Sequence, residues 1–228
     1  MRQGNLNQYQ RAILSLGEIL EKYNNNGIIP CYGFGAKIDG NRNTNFEFPL
    51  NLNFEAPFCK NYGEMFHSYQ NIFSRISLSG PTNFAPLIRA IINYTIQNKT
   101  INELNYTVYI ILTDGAITDI NETIREVVNA SGLPMSIIIV GKNFFYINNI
   151  LGVGKANFSN MVLLDSDDRL LKDEFGNVAQ RDIVQFVPFE EFGRDPFRLR
   201  EEVLQELPDQ VVQYYLSRGI KPAKGINF

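Results

Sequence analysis

Two segments of this chain carry residue types that could hold a metal ion. Thr82 lies in the run Gly-Pro-Thr-Asn-Phe-Ala-Pro at 80–86, and Asp114 lies in the run Leu-Thr-Asp-Gly at 112–115. A hydroxyl and a carboxylate are hard oxygen donors, which suit Mg²⁺ or Mn²⁺ better than a softer metal. The residues alone leave a plainer alternative open, in which Thr82 caps a helix and Asp114-Gly115 forms an ordinary turn.

Alternating strand and helix patterns would place both residues at one edge of a sheet. Residues 107–113 and 136–140 are β-branched runs typical of parallel strands covered on both faces. The remaining patterns predict helices at 6–23, 63–76, 84–97 and 120–131, strands at 28–35 and 183–187, and an edge strand at 46–48. This order predicts an α/β fold with a doubly wound, mostly parallel sheet and helices on both faces. The functional crevice of such a sheet lies beyond the carboxyl ends of its strands, where we expect Thr82 and Asp114.

The end of the chain predicts two short helices. Between Asp195 and Arg218 apolar residues recur on one side, and Pro208 interrupts the pattern. We expect these helices to pack on the sheet domain. The alternative is that their apolar stripe is a partner-binding face.

Composition argues against several classes of function. The 228 residues are 44% apolar with a net charge of −3, and they contain neither a basic stripe for nucleic acid nor a polybasic run for an anionic membrane. No apolar run approaches the roughly 20 residues that span a bilayer, and the first residues do not resemble a secretion signal. Cys31 and Cys59 lack metal-ligand spacing, so we expect reduced thiols in a cytosolic protein.

Seven segments give the chain a resemblance to a known family. They occur in one order along the chain, at 32–37, 46–50, 80–86, 112–115, 133–141, 181–189 and 207–211. With them the chain resembles the von Willebrand factor A-type domain of the copine family over nearly its whole length. Residues 29–35 also resemble the related domain of plant RING-type ubiquitin ligases, whereas the Phe-Val-Pro-Phe and Leu-Pro-Asp-Gln segments favour copines.

The resemblance implies a non-enzymatic interaction domain. Copines are cytosolic calcium-dependent phospholipid-binding proteins whose two amino-terminal C2 domains bind calcium and the membrane, while the A-type domain recruits protein targets. Its metal-ion-dependent adhesion site uses an Asp-x-Ser/Thr-x-Ser loop, a threonine in a second loop and an aspartate in a third. Thr82 and Asp114 match the second and third positions, and an acidic side chain of a protein partner would complete the shell of Mg²⁺ or Mn²⁺.

The sequence departs from this family pattern at its start. No Asp in the chain has Ser or Thr at both the second and the fourth position after it. The resemblance begins only near Asn7. We therefore expect the usual first, central strand to be missing from between the strands at 28–34 and 107–113. With two protein ligands left, we expect weak or no metal binding, because Mg²⁺ gives up its hydration shell reluctantly.

A second departure lies at 141–151, where eleven residues interrupt the copine pattern. Residues 142–151 can all be encoded by codons with A or T in their first two positions, which favours a retained intron, and a genuine loop insertion is the alternative. We expect an incomplete A-type domain over 5–192 and a helical extension over 193–228, with membrane contact only through C2 domains that this chain lacks. The alternatives are an A-type domain related to RING ubiquitin ligases and a non-functional gene fragment.

Other candidate chemistry is set aside. His67 is the single histidine and is expected on a solvated helix face. Gly33-Phe34-Gly35 and 152–154 lack the third glycine of a dinucleotide fingerprint. The run 165–168 suggests a calcium loop, but its sixth position is Leu170 and its twelfth is Gly176, so a solvated turn is expected.

Overall fold

The computed structural model describes residues 6–24, 27–101, 104–114, 117–141, 159–166, 169–192 and 195–221. Its helices are α1 (Gln8–Leu20), α2 (Tyr62–Ile72), α3 (Ala85–Ile101), α4 (Ile120–Ala130), α5 (Ser159–Asp165), α6 (Phe189–Phe192), α7 (Pro196–Val203) and α8 (Leu207–Ser217). Its strands are β1 (Ile29–Pro30), β2 (Tyr32–Gly33), β3 (Ala36–Ile38), β4 (Phe48–Pro49), β5 (Phe58–Cys59), β6 (Ile76–Leu78), β7 (Thr107–Thr113), β8 (Met135–Gly141) and β9 (Val184–Pro188). The proposed insertion at 141–151 lies outside the described residues except for Gly141.

The centre of the fold is a three-stranded parallel sheet in the order β7-β8-β9. All seven residues of β8 are buried, because it lies between two strands and has helices over both faces. The predicted strands at 107–113, 136–140 and 183–187 and the crossover helix between the first two are confirmed to within one residue at each end, as is the α/β class.

Alternate residues of β8 contact different helices. Ile137 and Ile139 belong to a buried cluster with residues of α3 and α4, whereas Ile138 and Val140 belong to a cluster with residues of α1 and α7. This is the period of two expected of a strand whose successive side chains point to opposite faces. The sheet is thus covered by helices on both faces.

The predicted strand at 28–35 differs from what is observed. The segment forms two short strands, and β1 pairs antiparallel with β5 while β2 pairs antiparallel with β4. Pro30 has no N–H group to donate to a neighbouring strand. Gly33 packs directly against the ring of Phe48, which leaves no room for a side chain at this position. Within the described residues, the segment therefore does not join the parallel sheet by hydrogen bonds.

The predicted helix at 63–76 is also too long. Helix α2 ends at Ile72, and residues 76–78 turn back as β6, which pairs antiparallel with β3. Arg75 stabilises this turn by pairing through its guanidinium with the Asp39 carboxylate. The predicted edge strand at 46–48 is observed as β4, displaced to Phe48–Pro49.

The two helices predicted for the end of the chain are observed as α7 and α8. Leu199 and Val203 of α7 are fully buried against the sheet, and Gln210 of α8 accepts a hydrogen bond from the Ser136 hydroxyl of β8. Both helices therefore pack on the sheet as expected. No helix among the described residues is long and apolar enough to cross a bilayer.

Candidate functional site

Thr82 lies in the loop that leads from β6 into α3. Its backbone is held by Thr118, a residue of the loop that follows β7: the Thr82 N–H donates to Thr118 Oγ1 at 3.0 Å, and the Thr118 N–H donates to the Thr82 carbonyl at 2.8 Å. Asp114 is only four residues before Thr118 and directly follows β7. The structure thus brings the loops of both predicted site residues together at the carboxyl end of β7.

Asp119 helps to hold these two loops together through hydrogen bonds to its carboxylate. Its two carboxylate oxygens accept hydrogen bonds from the N–H groups of Phe84 and Ala85, both at 2.9 Å, and one also accepts from the Thr123 hydroxyl at 3.2 Å. Asp119 therefore satisfies amides at the start of α3 while it stands at the start of α4. The sequence analysis missed it, because a sequence shows only that an Asp precedes a helix and not that it reaches a second one.

Asp114 is exposed, and its carboxylate has a neighbour that the sequence analysis did not anticipate. The hydroxyl of Tyr9, from α1, lies near it. Burial raises the pKa of Tyr9, and the nearby Asp114 carboxylate raises it further. Burial also raises the pKa of Tyr69 of α2, with a smaller contribution from Asp114.

A small cavity lies near the carboxyl ends of β7 and β8. Its volume is about 20 Å³, and the residues that line it include Tyr9, Leu112, Thr113 and Val140. Neither Thr82 nor Asp114 lines this cavity, so it is not the space in which these two residues would hold a cation.

Few charged ligands for Mg²⁺ or Mn²⁺ are placed together at this site. The described residues contain no group of three or more His, Cys, Asp or Glu side chains placed to hold a metal. The Asp119 carboxylate already accepts hydrogen bonds from the amides at the start of α3. What the site can do is offer an exposed carboxylate beside two tyrosines.

The residues set aside from chemistry lie where structural roles explain them. His67 is exposed on α2. Cys31 and Cys59 are unpaired buried thiols, and a hydrogen bond between them lowers the pKa of Cys59 and raises that of Cys31. Asp165 accepts a hydrogen bond from the Phe186 N–H at 2.7 Å, which ties α5 to β9, while residues 167–168 lie outside the described part.

Comparison with known proteins decides the family. The model of the copine family matches residues 1–223. The chain belongs to the copine family. This copine chain is 39% identical over 214 residues to Copine-C of Dictyostelium discoideum and 40% identical over 217 residues to Copine-A of the same organism.

The two alignments cover 94% and 95% of this copine chain but 37% and 34% of the relatives. The chain thus spans about one third of the length of the copines that it matches. The seven segments that carried the resemblance all lie within the matched region.

Proposed function

We propose that this chain is the protein-interaction domain of a copine-like calcium-dependent phospholipid-binding protein and has no enzymatic activity of its own. The observation that carries the proposal is identity of about 40% to copines over nearly the whole chain. The parallel sheet with helices on both faces fits a doubly wound A-type domain. The family model and both relatives described above are copines, and the ubiquitin-ligase alternative gains no support from them.

We propose further that the metal-ion-dependent adhesion site is degenerate in this chain. Thr82 and Asp114 keep the second and third positions of the family pattern, but the hydroxyl of Tyr9 lies near Asp114, and no group of three or more His, Cys, Asp or Glu side chains among the described residues is placed to hold a metal. An acidic side chain of a protein partner could not be bridged through a cation here. Partner binding by this chain is therefore expected to be independent of Mg²⁺ and Mn²⁺.

The edge of β7 that faces away from β8 supports the proposal that the family's full sheet has a further strand beside β7. Among the described residues β7 pairs only with β8, although five of its seven residues are half-buried and the other two are buried. The first central strand of the family's sheet would pair with this edge. We propose that the longer protein is cytoplasmic and reaches the plasma membrane through C2 domains outside this chain.

A peptide array tests the interaction proposal. The purified chain would be applied to peptides that carry Asp or Glu in varied contexts, with Mg²⁺ and with a chelator, and the Asp114→Asn variant would be applied in parallel. We expect a reproducible set of bound peptides whose signals change less than twofold with the chelator. Binding that needs both the metal and Asp114 would contradict the degenerate site, and a chain that binds no peptide would contradict the interaction domain.

A further inference from the structure

A larger cavity lies at the other end of the sheet. It has a volume of about 260 Å³ and forms where the α4–β8 connection, the segment before β9 and helix α8 meet. The side chains around it include Arg181, Arg218, Gln180, Gln213 and Ser217. None of the described residues that line it is acidic, so the cavity is surrounded by donors and carries positive charge.

Arg181 is a buried charged residue that lines this cavity. One guanidinium nitrogen, Nη2, donates to the carbonyls of Leu133 and Met135, both at 2.6 Å, and Nη1 donates to the Tyr106 hydroxyl at 3.1 Å. Its Nε–H is buried and finds no acceptor in the structure. The guanidinium is thus held rigidly by backbone groups and keeps one donor unsatisfied, an arrangement that is costly unless an acceptor is supplied.

No carboxylate neutralises this charge. Arg75, Arg89 and Arg125 each pair with an acidic side chain, whereas Arg181 forms no salt bridge within the described residues. Its guanidinium carbon instead lies 5.4 Å from the ring centre of Tyr214. A buried cation is normally paired, so an unpaired one that lines a cavity favours an anionic ligand.

Arg218 adds a second charge to the lining of this cavity. Its Nη2 donates to the Gly132 carbonyl at 2.8 Å, and its guanidinium carbon lies 5.6 Å from the same Tyr214 ring. Tyr214 therefore lies against both arginines. Both guanidinium groups line one cavity without an acid between them, and they are positioned before any ligand arrives.

We propose that this cavity binds a phosphate monoester. A phosphate carries up to two negative charges and three acceptor oxygens, which match two guanidinium groups and the nearby amide and hydroxyl donors better than a single carboxylate does. The volume leaves room for a small organic group beyond the phosphate. The site is separate from Thr82 and Asp114, which lie at the carboxyl end of the strands, whereas Leu133 and Met135 mark the amino end of β8.

Calorimetric titration of the whole chain with glycerol 3-phosphate tests this proposal. We expect saturable binding of glycerol 3-phosphate and of inorganic phosphate, and none of glycerol. Arg218→Gln should weaken the affinity at least tenfold, because it removes one charge-assisted contact from an exposed side chain without disturbing the core. Arg200→Gln is the matched control, since it removes the same charge from an exposed position of α7, and it should stay within twofold of the wild type.

A second variant tests the cavity without removing the charge of Arg218. Ser217→Glu would place a carboxylate at the cavity wall, where it should pair with the arginines and abolish phosphate binding while the circular dichroism spectrum stays unchanged. Ser217→Gln, of nearly equal size, should retain binding. The proposal is overturned if 10 mM glycerol 3-phosphate gives no binding heat, or if Arg218→Gln and Arg200→Gln weaken binding equally.

Vesicles distinguish a soluble phosphate monoester from a lipid headgroup. Sedimentation with phosphatidic acid vesicles, using phosphatidylcholine vesicles as the blank, reports the lipid source. If Arg218→Gln and glycerol 3-phosphate both reduce sedimentation, the cavity takes the headgroup. If only the soluble compound binds, the cavity takes a soluble monoester. Both results support the site, and the absence of Arg218-dependent binding in both assays would overturn it.

Discussion

Asp119 is the N-cap residue of α4, but its side chain caps a different helix, α3. Because its carboxylate accepts from the N–H groups of Phe84 and Ala85 and from the Thr123 hydroxyl, it joins the start of α3 to the start of α4. Thr118 beside it holds the Thr82 backbone. The position of the candidate site thus depends on a residue that does not belong to it.

Replacement of this carboxylate should be costly. Asp119→Ala leaves two amides and a hydroxyl without their acceptor, so we expect the free energy of unfolding to fall by about 2 kcal/mol. Urea denaturation followed by circular dichroism measures it. Asp119→Asn keeps one carbonyl acceptor and should lose less. Equal losses in the two variants would show that the second acceptor oxygen does not matter.

Tyr9 gives the fold a dependence on alkaline pH. Its pKa is higher in the folded chain than the ordinary value near 10, so the folded state holds its proton more tightly than the unfolded state. The resulting stability is present below pH 10 and is lost as the pH rises above it. We expect Tyr9→Phe to reduce this loss by about 1.4 kcal/mol per pH unit.

Urea unfolding between pH 9 and pH 11.5 measures this slope. Tyr23→Phe is the control, because Tyr23 is 64% exposed and removal of its hydroxyl should leave the slope unchanged. An identical slope for the wild type and Tyr9→Phe would contradict the raised pKa of Tyr9 in the folded chain.

The sequence identifies residue types at the site better than their partners. Thr82 and Asp114 were found because Thr82 lies just before a clearly patterned helix and Asp114 directly follows a clearly patterned strand. Tyr9 and Asp114 lie near each other although they are more than a hundred residues apart in the chain, and no local pattern reports such a contact. The same holds for Arg181, whose neighbours come from three separate segments.

At the scale of elements, continuous β-branched runs were predicted well and short mixed segments were not. β7 and β8 have uniform patterns, because both of their faces are covered. The segment at 28–35 has an apolar sequence too, but Pro30 and Gly33 divide it and its partners β4 and β5 lie in loops with little pattern of their own. The pairing was decided by tertiary contacts.

Helix α7 is an integral part of the fold rather than a free binding face. Leu199 is fully buried against the sheet, whereas Phe197 on the same helix is 77% exposed. We expect Leu199→Ala to lower the free energy of unfolding by about 2–5 kcal/mol, and Phe197→Ala to change it by about 0.5 kcal/mol or less. Denaturant titration compares them. Similar effects would mean that α7 does not pack on the sheet as described.

At the scale of the whole molecule, the two ends of the sheet differ in chemistry. Among the described residues, the carboxyl end has the exposed carboxylate of Asp114 near two tyrosines, whereas the amino end has two arginines around a cavity of about 260 Å³. The family predicts a cation at the first end. The described residues contain no group of three or more His, Cys, Asp or Glu side chains that could hold one.

The most direct test of the degenerate site is a titration of the chain with Mn²⁺, followed by electron paramagnetic resonance of the free ion. We predict a dissociation constant of about 1 mM or weaker, because too few protein oxygens are offered to replace the hydration shell. Asp114→Asn and Thr82→Val should leave that weak binding unchanged. Micromolar affinity in the wild type that is lost in Asp114→Asn would contradict the account.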